Sequence, residues 1–282
     1  MINNSEQTNM IYEDEFYAES KKRIMAKKHS TPANTDFTAK IKPKKKFHLK
    51  DMKQVVPKTA TQREVFEEYV KNPETHKFLY GSAGTGKTFI SMALGLKDVL
   101  SQETPYEHLL IVRSIVPSRD IGWLPGDIDE KTSAYEEPYV AMCDEIFNVT
   151  NSYEELKNSG LIKFTSTSFL RGKTFNDAVI LVDEMQNMNF GELDTVITRV
   201  GHNSKIIFAG DIRQNDLSNK RNEASGFTDF FDIIRSMRKH FSVFEFDHDD
   251  IVRSGLVKEY IIRKETLFRP DDDEFISGSQ KF

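Results

Sequence analysis

The run Gly81-Ser82-Ala83-Gly84-Thr85-Gly86-Lys87-Thr88 fits the phosphate-binding pattern G-x-x-x-x-G-K-[ST] at every fixed position. The apolar run Phe78-Leu79-Tyr80 precedes it. Phe89-Ile90-Ser91-Met92-Ala93-Leu94-Gly95-Leu96 follows with apolar residues at helical spacing, so the loop joins a strand to a helix. In that context the glycines let backbone N–H groups turn inward around phosphates, Lys87 reaches the β- and γ-oxygens, and Thr88 offers a hydroxyl to Mg²⁺ at the positive end of a helix. The whole loop, Gly81, Ser82, Ala83, Gly84, Thr85, Gly86, Lys87 and Thr88, is expected to hold a nucleoside triphosphate.

From residue 58 onward short apolar runs alternate with helical patterns, the signature of a mainly parallel sheet with helices on both faces. The expected strands are 76–80, 109–112, 162–165, 178–182, 205–209 and 242–246. Helices are expected at 61–71, 87–100, 136–148, 191–200, 226–238 and 255–264. The fold class is α/β, a RecA-like P-loop NTPase.

The second anchor is Ala178-Val179-Ile180-Leu181-Val182-Asp183-Glu184, a strand ending in two carboxylates about a hundred residues beyond the loop. Parallel strands open at their carboxyl ends toward the ligand crevice, so Asp183 can hold Mg²⁺ while Glu184 orients the attacking water as base. A third strand leads through Gly210-Asp211 to Gln214, whose amide can donate to the γ-phosphate and accept from water. Upstream, Gln62 either reads an adenine edge with its paired donor and acceptor or is an exposed helix residue. The transferred phosphoryl needs a further cation, for which Arg253, then Arg199 and Arg171, are candidates; each could instead be a surface ion pair.

Charge is segregated. Residues 1–58 hold 13 Lys and Arg against 7 Asp and Glu, a surplus of six, so the remainder carries −11 within a net charge of −5. Residues 1 to about 50, with the block Lys40-Ile41-Lys42-Pro43-Lys44-Lys45-Lys46, read as a basic, largely disordered arm that attracts nucleic-acid phosphates or merely solubilises. Residues 51–268 read as one ATPase domain, and 269–282, beginning Arg269-Pro270-Asp271-Asp272-Asp273-Glu274, as an acidic flexible tail. Cys143 is the single cysteine, within a helical pattern, so it reads as a buried thiol without a disulfide partner in the chain. No run approaches a spanning helix, and the amino-terminal residues do not form a signal peptide, so the expected location is cytoplasmic and away from membranes. The cluster Asp247-His248-Asp249-Asp250 reads as a turn or cap rather than a metal site, leaving nucleotide-borne Mg²⁺ as the expected metal.

Taken together these residues resemble the PhoH family of phosphate-starvation-inducible ATPases, related to superfamily 1 helicases. The resemblance spans roughly residues 57 to 268. It rests on the phosphate loop, Ile111-Val112-Arg113-Ser114 followed by Gly122-Trp123-Leu124-Pro125-Gly126-Asp127, Ser168-Phe169-Leu170-Arg171-Gly172-Lys173-Thr174-Phe175, Asp183-Glu184-Met185-Gln186-Asn187, and Gly210-Asp211 with Gln214. The family usually has Pro at the position of Ser114 and Ala at that of Met185. A small divergent chain with a basic arm looks like a bacteriophage member. The resemblance implies ATP binding and hydrolysis with Mg²⁺, and a helicase or translocase acting on single-stranded nucleic acid, RNA first. The alternative is a regulatory ATPase switch acting on a protein without unwinding, and a small-molecule kinase is a third class. One lobe leaves one side of the nucleotide open, so a homo-oligomeric ring, six subunits at first guess, is expected to supply Arg253 in trans; a monomer using Arg253 in cis is the alternative.

Overall fold

The computed structural model of the chain describes residues 47–115, 128–211 and 224–267. Six strands form one sheet: β1 (His76–Gly81), β2 (His108–Arg113), β3 (Ile162–Ser166), β4 (Ala178–Asp183), β5 (Lys205–Gly210) and β6 (Phe241–Phe246). Their spatial order is β3-β2-β4-β5-β1-β6, and the pairings are parallel. Parallel neighbours need crossover connections. Helix α1 (Ala60–Lys71) precedes the first strand, α2 (Lys87–Leu100), α3 (Ile128–Phe147), α4 (Ser152–Asn158), α5 (Phe190–Ile197) and α6 (Ala224–Ser236) lie in the connections between strands, and α7 (Gly255–Leu267) follows the last strand.

Apolar continuity makes these segments strands. β4 and β5 are buried at all six of their positions, as central strands covered on both faces must be. Along β2 and β4 the faces then alternate. Leu109, Ile111, Val179 and Leu181 join one apolar cluster with residues of α1 to α4, whereas Leu110, Val112, Ile180 and Val182 join a second with α5 and α6. The fold is the expected RecA-like sheet with helices on both faces.

Three differences from the sequence reading are physical. Helix α3 begins at Ile128, eight residues before the expected start, so Pro138 lies in the helix interior rather than in the first turn, where proline is best tolerated. Helix α4 is short and mostly polar, and it is held by Tyr153 and Leu156, both fully buried. Phe47 is buried and packs edge-on against Phe147 at a 4.9 Å centroid distance, so core packing reaches into the stretch read as an arm. The Cys143 thiol is buried as expected, and burial drives its pKa far upward. Residues 1–46, with their basic block, the segment 122–127, Gln214 and the tail 269–282 lie outside the described residues. Among the described residues no helix is long and apolar enough to cross a membrane.

Helix α2 carries the phosphate loop at its start and must therefore lie close to the sheet. Gly95 provides the closeness: a Cβ there would stand 2.9 Å from Leu109 Cδ1 and 3.2 Å from Val179 Cγ1. Gly95→Leu should lower unfolding stability by about 1–3 kcal/mol through overpacking. Gly95→Ala should stay within about 1 kcal/mol, because its helix propensity offsets a contact that flexible Leu109 can relieve. Urea denaturation of the two variants checks the ordering.

Candidate functional site

The loop starts where β1 ends. Gly81 has φ 120°, and a Cβ on it would lie 1.9 Å from the Phe246 carbonyl oxygen. Only glycine lets β1 and β6 close this tightly, and the Ser82 N–H then donates to that same oxygen at 2.9 Å. Gly84 and Gly86 also have positive φ, and Gly86 is the left-handed cap from which α2 begins. Lys87 is 8% exposed. Its Nζ donates to the carbonyls of Gly81 and Ser82 at 2.9 and 2.7 Å and to Thr85 Oγ1 at 3.2 Å. Burial pulls its pKa down to about 8, opposed by the carboxylates of Asp211, Glu184, Glu265 and Asp183. Lys87 is thus a buried ammonium whose charged form four nearby carboxylates favour.

Across the crevice, Thr88 Oγ1 donates to Asp183 Oδ1 at 2.7 Å, and Tyr139 of α3 donates to Asp183 Oδ2 at the same distance. Asp183 is thus held at both oxygens. Burial and neighbouring Glu184 push its carboxyl pKa up, while the two hydrogen bonds and the charge of Arg113 pull it back. Arg113 ends β2 in register with Asp183, with its guanidinium 5.8 Å from the Tyr135 ring centre. Tyr139 was not legible as a site residue, because it lies 44 residues from its partner in an amphipathic helix.

Glu184 has φ 51° and caps the turn Met185–Asn187. Gln186 donates through Nε2 to Glu184 Oε2 and accepts through Oε1 from the Asp211 N–H at 2.9 Å. The amide therefore ties the base candidate to the end of β5. Gly210 makes room for it, since a Cβ would meet Gln186 Oε1 at 2.5 Å and Met185 N at 3.0 Å. Met185, where the family usually has Ala, is fully buried in this junction. Ser114, where the family usually has Pro, donates to Glu192 Oε1 at 3.1 Å.

Gln62 is not the exposed helix residue of its second reading. It is 3% exposed, its Nε2 donates to the Thr85 carbonyl at 2.8 Å, and its Oε1 accepts from the Lys58 N–H. In this geometry it braces the loop from behind. The arginines separate clearly. Arg253 crosses the loop of its own chain: a Cβ on Gly84 would meet Arg253 Cγ at 2.8 Å, and the Val252 N–H donates to the Gly84 carbonyl at 3.1 Å. Arg199 is not brought to the site. Its carbonyl accepts from Phe175 beside the Phe175–Val200 bridge, where the chain enters β4 and β5, at the opposite edge of the sheet. Arg171 follows β3 on the correct edge but is exposed. The cluster at 247–250 is a turn in which the Asp247 N–H donates to Asp250 and the Asp249 N–H to Asp247. Its His248 meets Glu265 Oε2 at 2.7 Å, and Ser82 Oγ donates to that same oxygen at 2.9 Å. Among the described residues no cluster of His, Cys, Asp and Glu forms a separate metal site.

The chain is similar in sequence to known proteins. A PhoH-like protein of Mycobacterium leprae is 32% identical over 216 residues, covering 76% of this chain and 59% of that protein. The PhoH protein of Escherichia coli is 30% identical over 192 residues, covering 67% of this chain and 53% of its own length. The chain thus spans between half and three fifths of these two relatives. Among solved structures, the large terminase of the thermophilic bacteriophage D6E in complex with ADP shares 15% identity at a TM-score of 0.42, over 76% of this chain and 50% of that one. The PhoH-like protein family matches residues 54–263, a stretch that takes in all six strands, the loop and the Thr88–Asp183 contact, and the chain therefore belongs to that family.

Proposed function

We propose that this chain is a nucleic-acid-dependent ATPase motor, acting on single-stranded RNA in the first place, with ATP and Mg²⁺ as its cofactors. The observation that carries the catalytic part is the 2.7 Å hydrogen bond between Thr88 and Asp183, which joins two groups 95 residues apart at the mouth of one crevice. Both are hard oxygen donors of the kind Mg²⁺ takes, so the residues present fit the ion. When bound, Mg²⁺ neutralises charge on the phosphate oxygens during transfer.

The remaining work belongs to the chain. The loop N–H groups and Lys87 bind and orient the phosphates. Exchanging its carbonyl acceptors for phosphate oxygens costs Lys87 no hydrogen bonds and gives its buried charge an anionic partner. Glu184 accepts a proton from the attacking water, held in place by Gln186. Tyr139 fixes the plane of the Asp183 carboxylate. Arg253 lies on its own loop and supplies the external cation in cis, so this arginine does not itself require a ring. The motor reading rests on the family relationship and on the helicase-like Asp183-Glu184-Met185-Gln186 sequence at the end of β4.

The decisive measurement is ATP turnover by the full chain with and without single-stranded RNA and DNA. A motor is stimulated by one of them, a protein-directed switch is indifferent to both, and a kinase yields a phosphorylated acceptor in place of free phosphate. Glu184→Gln should retain ATP and Mg²⁺ and lose at least about a hundredfold in turnover; normal hydrolysis by this variant would remove Glu184 from the role of base.

Tyr139→Phe should raise the Mg²⁺ concentration for half-maximal turnover roughly tenfold, the scale of one hydrogen bond to a charged group. Isothermal titration of ATP-loaded protein with Mn²⁺ should show the same weakening, and an unchanged titration would leave Tyr139 a packing residue only.

Mixing Lys87→Ala with Arg253→Ala protein tests the arginine. Action in cis yields no recovery of activity, because each chain lacks one essential group; recovered turnover would place Arg253 across a subunit boundary.

A further inference from the structure

The segment from Thr167 to Thr174 follows β3 at the same edge of the sheet as Asp183, two strands away, about 10 Å at ordinary strand spacing. It is a built loop. Thr167 Oγ1 donates to Glu192 Oε1, the oxygen that also accepts from Ser114 at the end of β2, while Glu192 Oε2 accepts from the Asn189 N–H. Leu170 is fully buried in the cluster beneath, and the Lys173 N–H donates to the Leu170 carbonyl at 3.2 Å. With its neighbours so anchored, Phe169 still stands 46% exposed, Arg171 and Lys173 are exposed beyond it, and Phe190 across the Thr167–Glu192 contact is 38% exposed.

Single exposed apolar residues are ordinary on a protein surface. This one is different in its setting: an aromatic face held outward by a buried neighbour, with two cations within four residues, on the edge of the sheet that holds the phosphate loop. An aromatic ring flanked by cations is complementary to a polymer that alternates flat bases with anionic phosphates. A double helix would hide the base faces such a ring needs, whereas a single strand offers them.

We infer that the loop 167–174 is a single-stranded nucleic-acid platform on which Phe169 stacks a base while Arg171 and Lys173 pair with adjacent phosphates. This deepens the motor reading and rests on it. The Glu192 junction gives the platform a mechanical route to the nucleotide, because Ser114 directly follows Arg113, the register partner of Asp183.

The test uses the full chain and three labelled probes of equal length: oligo(dT), oligo(U) and an abasic strand, whose charge is the same but whose bases are missing. The wild-type protein should prefer a base-bearing strand over the abasic one by roughly tenfold, the scale of one stacked base. Phe169→Ala should erase that preference while leaving ATPase without nucleic acid and the melting temperature unchanged, and Phe169→Trp should restore it. Arg171→Ala with Lys173→Ala should weaken all three probes and reduce the salt dependence of log K by about 1.4, or about 0.7 for each phosphate deprived of its cation. The two base-bearing probes separate RNA from DNA. Retained preference in Phe169→Ala overturns the platform. Wild-type protein that binds all three strands equally also overturns it, and leaves a motor held by charge alone. Wild-type protein that binds none removes the nucleic-acid reading altogether, and a protein partner then becomes the alternative for this face.

Discussion

The hydrogen bond from Thr88 to Asp183 is the constraint around which the rest of the chain is arranged. Its donor starts a helix and its acceptor ends a strand, and β5 lies between β1 and β4, so the sheet alone does not bring the two together. Closeness comes from α2, which lies across the sheet with Gly95 in contact with Leu109 and Val179, two turns beyond Thr88. A helix is stiff over such a length, so its separation from β4 fixes the position of its first turn. Packing in the apolar layer therefore sets geometry in the crevice. Tyr139 extends the same logic from a neighbouring helix: a fully buried ring, placed by core packing, delivers one hydroxyl to the second oxygen of Asp183.

The phosphate loop is braced by elements from both ends of the sequence. Gln62 holds Thr85 from the amino-terminal side. Phe246 and Val252 hold Ser82 and Gly84 from the other, and Glu265 of α7 holds the Ser82 hydroxyl together with His248. These contacts preorganise a loop whose positive-φ glycines would otherwise be entropically expensive to order. Glu265 also contributes to the ring of carboxylates that opposes the depressed pKa of Lys87. Any movement of α7 would therefore be felt at the lysine both mechanically and electrostatically.

Most of the sheet was legible because buried parallel strands are continuous apolar runs bounded by polar residues, and each strand falls within one residue of its expected limits at either end. The loop and both carboxylates were legible because their chemistry is local in sequence. Tyr139, Gln186 and Gly210 were less so, since their roles arise from contacts between separate segments. Gln62 shows the same limit: burial of a polar residue in a first helical turn leaves no periodic trace, and only the structure reveals that it faces Thr85.

Arg199 carries a different lesson, because a physical rule in the sequence already argued against it. In parallel α/β units the chain leaves each strand at the ligand edge, enters the helix there, and returns to the far edge at the helix end. An arginine that closes a helix, as Arg199 nearly does after α5, must therefore lie away from the phosphate loop of its own chain, and it does. The same rule brings forward residues at or just past the strand ends: Arg113 at the end of β2, Phe169 and Arg171 after β3, and Glu184 after β4. Arg253 obeys it too, seven residues past the end of β6 and before α7 begins. The cations around this crevice are thus distributed by topology. Arg253 lies against the phosphate loop and Arg113 near Asp183, while Arg171 stands exposed after β3, two strands away.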